Sequence, residues 1–107
     1  MEFDQDQKTT ALKFARALAD RDYAVAHSLC SDEYREQCDA GFLSQEFERI
    51  VPLDWGEIDP IELVEIGGFP FIYIQLGGDV YSEAIIISSF VSENEQAKIA
   101  NFEFGRP

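Results

Sequence analysis

The chain has 107 residues, enough for one domain around one core and too few for a second. Its composition, 46% hydrophobic and 13% aromatic, is that of a packed globule rather than a disordered segment. A formal net charge of -13, from 21 acidic and 8 basic residues, disfavours phosphate-rich partners, so nucleic acid and anionic membrane are both expected to be excluded.

No run reaches the ~20 apolar residues of a bilayer span, and MEFDQDQK lacks the basic start and apolar core of a signal peptide. The expected compartment is the cytosol. Ala11, Leu12, Phe14, Ala15 and Leu18 recur at helical spacing and predict an amphipathic helix over 7–19, capped by Asp6 or Thr9. The cluster Asp20, Arg21, Asp22 ends that period. A second helix is predicted from Asp22 to about Leu29, with Tyr23, Ala26 and Leu29 turned inward, and Ser31 caps a short helix over 32–38. Asp39, Ala40 and Gly41 read as a break, after which Ser44 opens a helix over 45–51 that buries Phe47 and Ile50; Pro52 stops it.

Beyond Pro52 the pattern changes. A connector, 53–60, carries Trp55 and Gly56, and strand-like segments follow at 61–66, 71–76, 80–91 and 97–104. Gly67, Gly68 and Pro70, then Gly77, Gly78 and Asp79, then a polar turn over 92–96, separate them with hairpin-sized loops. The longest strand, VYSEAIIISSFV, reads as central. Its alternating faces are Val80, Ser82, Ala84, Ile86, Ser88, Phe90 and Tyr81, Glu83, Ile85, Ile87, Ser89, Val91, and neither is a polar face. Helices followed by an antiparallel meander predict an α+β domain over 1–107, with N-terminal helices packed on a curved four-stranded antiparallel sheet.

Charge is unevenly spread. Between Arg49 and Lys98 there is no Lys or Arg, while Asp54, Glu57, Asp59, Glu62, Glu65, Asp79, Glu83, Glu93 and Glu95 all fall there. Such a surface attracts a basic protein or weakly bound divalent cations, and otherwise serves solubility. Cys30 and Cys38 would stand about 12 Å apart on one unbroken helix, too far for a disulfide, although a break at Ser31 shortens the distance. Two reduced thiols are expected. Neither the CxxC spacing nor a well-placed histidine supports zinc, and no cofactor is implied.

The run ALADRDYAVAHSLCSDEY, residues 17–34, resembles the helix-helix signature of the nuclear transport factor 2-like superfamily. The matching positions are Asp22, Tyr23, Ala24, Ala26 and Leu29, then Ser31 and Tyr34; KIANFEFGRP, residues 98–107, is similar to that group's last strand. The resemblance implies a cystatin-like cone, commonly dimeric through the outer sheet face. It also implies a superfamily holding isomerases, dehydratases, epoxide hydrolases, binding domains and toxin-immunity proteins, so fold alone does not decide function. No catalytic residue of the family aligns with a position here.

His27 is the one histidine and precedes Cys30 by three residues, so a Cys-His pair is conceivable on one helix face; a packed or surface histidine is the plainer reading. Acid-base chemistry would draw on Asp54, Asp59, Glu83, Tyr73 and Tyr81. Glu83 interrupts an apolar strand face between Tyr81 and Ile85. Turned inward it would be a buried acid that raises the question of a ligand; turned outward it is solvated, the outcome expected of a carboxylate. Trp55, Tyr73, Tyr81, Glu83 and Phe102 form the candidate ligand pocket, with ordinary core as the alternative.

Because both faces of the central strand want cover, a homodimer through the outer sheet face is expected, burying on the order of 800 Å² per subunit. The function expected first is a non-catalytic binding domain for a small apolar ligand or a protein partner. An acidic immunity protein that neutralises a basic toxin comes second, and a small lyase or isomerase using a pocket carboxylate third.

Overall fold

Four helices precede four strands in the computed structural model, which describes residues 3–55, 58, 61–64, 71–77 and 82–105. The first helix, α1, spans Gln5–Ala19 and starts two residues earlier than its apolar period predicts. The reason is a capping box. The Asp4 carboxylate accepts from the Gln7 backbone N–H at 2.8 Å, while the Gln7 side chain accepts from the Asp4 N–H at 2.9 Å. Neither Asp6 nor Thr9 is the cap. Helix α2, Tyr23–Ser28, is capped by Asp22, and α3, Asp32–Gln37, by Ser31.

Helix α4 spans Ala40–Ile50, which corrects the expected break at Asp39–Gly41. Asp39 is the cap, its carboxylate accepting from the Phe42 N–H at 2.8 Å, and Ser44 lies inside the helix with its hydroxyl donating to the Gly41 carbonyl. A glycine costs a helix about 1 kcal/mol in backbone entropy, and here the Asp39 cap on the same turn offsets it. A short 3-10 turn, Leu53–Trp55, follows Pro52.

The strands are β1, Ile61–Val64; β2, Ile72–Gly77; β3, Ser82–Glu93; and β4, Gln96–Gly105. They pair antiparallel in chain order, β1-β2-β3-β4. Residues 65 and 66, Val80 and Tyr81, which the sequence pattern assigns to strands, lie outside the described residues. The turn between β3 and β4 is tighter than expected: Glu93 pairs with Gln96, leaving only Asn94 and Glu95 between the strands. Both have positive φ, 52° and 64°, as the twist of a two-residue hairpin requires. Asn accepts that conformation readily and Glu does not, so Glu95→Gly should stabilise the fold by about 0.5–1 kcal/mol in urea unfolding. A loss of stability would contradict this account of the turn.

Register decides which side chains meet. Ile61, Leu76 and Glu83 form one row across β1, β2 and β3; Leu63, Ile74, Ile85 and Phe104 form the next; Ile72, Ile87 and Phe102 the third. These rows face the helices and join Phe14, Leu18, Leu43 and Phe47, all fully buried, in one core. Between Ile87 and Phe90 the pairing slips, with Ser88 extra on β3 and Ala100 extra on β4. This double irregularity inverts the alternation of β3. Phe90 therefore turns to the helix side, where its ring meets Phe3 edge-on at 5.7 Å, and Val91 turns out with 41% of its surface exposed. Strict alternation predicts the reverse.

The far edge of β4 is held by the chain between α2 and α3. Cys30 bridges Ile99 in parallel, with Ser31 N–H donating to the Ile99 carbonyl at 2.8 Å and Ile99 N–H donating to the Leu29 carbonyl at 3.0 Å. No described helix is long and apolar enough to cross a membrane.

Candidate functional site

Of the five residues proposed for a pocket, the three whose side chains are described do not share one face of the sheet. Glu83 is on the helix side, 2% exposed, in the row of Leu76 and Ile61, so the expected solvated carboxylate is instead a buried one. Phe102 is on the same side and belongs to the aromatic core, with ring centroids 5.0 Å from Phe14, 5.3 Å from Tyr34 and 5.3 Å from Phe104. Tyr73 alternates with the buried Ile72 and Ile74 and stands on the opposite face, half-buried between Val64 and Ile86. Trp55 closes the 3-10 turn, its side chain outside the described residues, as is Tyr81. Of the other acids weighed, Asp54 is exposed and Asp59 lies outside the described residues.

The sulfur and imidazole groups are absorbed by structure. His27 Nε2 donates to the Cys38 carbonyl at 2.7 Å, tying α2 to the end of α3. Cys30 is fully buried, and its thiol donates to the Ala26 carbonyl at 3.6 Å one turn back. Burial pushes that thiol up from 9.0 to about 12, outweighing the downward pull of the Arg35 and Lys98 charges. Burial likewise holds the Tyr34 hydroxyl far above its ordinary value, with Cys30 and Cys38 adding to the rise. A thiol so held is a poor nucleophile.

A thiol reagent should therefore modify Cys38, which is partly exposed, before Cys30, which should react only as the chain unfolds. Two equally fast native thiols would contradict the packing. The raised thiol also links stability to alkaline pH. The unfolded chain releases the Cys30 proton near pH 9 while the folded chain keeps it to about 12, so stability must fall as pH rises through that window.

Sequence reading missed a second polar node. Arg21 ends α1 with φ 62°, and from there its guanidinium reaches back to α4, donating to the Val51 carbonyl at 2.9 Å and the Pro52 carbonyl at 3.0 Å. It also donates to the Tyr23 hydroxyl at 3.3 Å and lies 5.3 Å from the Phe47 ring centroid, while Tyr23 donates to Glu48 at 2.6 Å. Burial, then the bond to Glu48, raises the Tyr23 pKa. No local signal marks this: the reach is thirty residues along the chain. A third node joins α3 to the β3–β4 hairpin, where Glu93 accepts from the Asp32 N–H at 2.8 Å and pairs with Arg35 at 3.3 Å; Arg35 also pairs with Asp32. All three nodes clamp elements together, and among the described residues no group of three His, Cys, Asp or Glu is placed to hold a metal ion.

What is left for function is surface. One candidate is a groove of about 520 Å³ over α1 and α2, lined by Leu12, Val25, Leu29 and Ile61 with Lys13, Arg16, Asp20 and Asp22 at its rim. It is open to solvent, and both signs of charge meet there. The other is the outer face of the sheet, which no described helix covers. Register aligns Glu62, Gln75, Ala84 and Gly105 in one row and Val64, Tyr73, Ile86 and Glu103 in the next. Val64, Tyr73 and Ile86 are half-buried, whereas Glu62 and Glu103, on the two outermost strands, are exposed. The surface is a short apolar band between acids. Compared with family models, curated proteins and solved structures, this chain matches none.

Proposed function

We propose that the chain is a non-catalytic binding domain that takes a protein partner on the outer face of its sheet. The observation that carries the reading is the Val64–Tyr73–Ile86 row, an apolar band across three strands with no described helix over it. Residues with chemical potential support the non-catalytic half of the reading, since His27 and Cys30 are spent on helix contacts and Tyr73 is on the far side of the sheet from Glu83. Helices followed by an antiparallel meander support kinship with nuclear transport factor 2-like domains, a fold that hosts both enzymes and binding modules. Free Cys30 and Cys38 suit a reducing compartment such as the cytosol.

Photocrosslinking in the native cell tests the role. A benzoylphenylalanine at Tyr73 should give one discrete covalent adduct, and the same group at Val25, in the helix groove, should give none. Adducts from Val25 alone would move the site to the helices and overturn the reading.

A further inference from the structure

We infer that the partner on this face presents a basic surface around an apolar centre; the inference rests on the proposed docking role of the face. The argument is one of charge complementarity. Glu103 on β4 ends the row of the apolar band, and Glu62 on β1 stands one row away beside Val64; the two are about 16 Å apart, three strand spacings across and two residues along. Both are exposed, and neither has an ion-pair partner among the described residues. The described strands carry a single base, Lys98, and its ammonium donates to the Ser28 carbonyl at 2.9 Å, away from the band. The other bases among the described residues, Lys8, Lys13, Arg16, Arg21, Arg35 and Arg49, belong to the helical half.

A second copy of the chain fits this face poorly. Acids stand on both outermost strands, so a copy laid face to face with outermost strand over outermost strand brings the Glu residues of the two copies close. Like charges brought together at an interface cost affinity, whereas Lys or Arg at the rim of a partner would gain attraction and a faster encounter. The apolar band then supplies the desolvated centre and the two carboxylates the polar rim, the division seen in stable interfaces.

Three peptides with one shared leucine pattern and Lys, Gln or Glu at the remaining positions test this on the full chain by NMR titration. The Lys peptide should shift the Tyr73, Ile86 and Glu103 amides, with affinity falling as salt rises. Glu62→Lys/Glu103→Lys should weaken it by about tenfold or more, while Glu33→Lys/Glu36→Lys, the same charge change on α3, should alter it by no more than about twofold. Equal losses in the two variants, or shifts confined to the helices, would overturn the inference. Gln or Glu peptides binding the face as tightly as Lys would overturn the basic chemistry but leave the docking role. A face buried by self-association in the absence of peptide would assign it to a second copy instead. Failure of all three peptides to perturb the face would overturn the docking role as well.

Discussion

Ile87→Glu is expected to unfold the domain, while Ile86→Glu, one residue earlier on the same strand, leaves it folded. Ile87 is fully buried in the row it shares with Ile72 and Phe102, under the helices. Replacing it removes a buried side chain and introduces a carboxylate with no cation among its row neighbours. The combined cost is about 4 kcal/mol or more, comparable to the whole stability of a small domain, ~5–15 kcal/mol. Ile86 points to the other face and is half-buried, so its replacement loses part of its apolar contact with Tyr73 and sets a carboxylate opposite Glu103, a cost of about 1–2 kcal/mol that a folded domain withstands. Circular dichroism melts distinguish the two. Similar melting temperatures for both variants would mean that the helices do not cover the face assigned to them.

The second large effect is expected at Phe47. Its ring packs edge-on against Tyr23, 6.4 Å between centroids, and Phe104, 5.5 Å, and carries the Arg21 guanidinium on a third side. Phe47→Ala should therefore cost about 3–5 kcal/mol in urea unfolding, against about 0.5 kcal/mol for Phe42→Ala on the same helix, where the ring is 44% exposed. Part of the Phe47 loss belongs to Arg21. With Arg21→Ala already made, removing Phe47 should cost about 0.5–2 kcal/mol less than it does in the wild type, because the cation–ring contact has gone. Strict additivity would show that the guanidinium acts through its hydrogen bonds to Val51, Pro52 and Tyr23 and not through the ring.

Much of this architecture was legible in the residues. The helix-then-meander order follows from the switch of apolar period at Pro52, and Ser31 announces its cap by type and place, whereas Asp22, read as the first residue of the second helix, is its cap. Asp39 was misread because glycine two residues later suggests a break, whereas in a first helical turn it breaks nothing. The exchange of Phe90 and Val91 between faces was hidden for another reason. Ser88 and Ala100 are ordinary strand residues, and only the pairing of β3 with β4 shows them as extra. Glu83 is the sharpest departure: residue type favours solvent, but its register between Leu76 and Ile85 on an inner face overrides that preference. The candidate site was half legible. The acidity of the strand half is plain in the sequence, but the two adjacent rows that bring Glu62, Tyr73, Ile86 and Glu103 to one surface depend on registers that no local pattern reveals.

Methyl NMR of the isoleucines with a soluble paramagnetic agent, at a concentration where the protein is monomeric, tests the central claim most directly. The uncovered face requires strong relaxation of the Ile86 methyls and protection of Ile74, Ile85, Ile87 and Ile99. Ile86 protected to the same degree as Ile87 in the monomer would contradict the account, since no open apolar band would then remain for a partner.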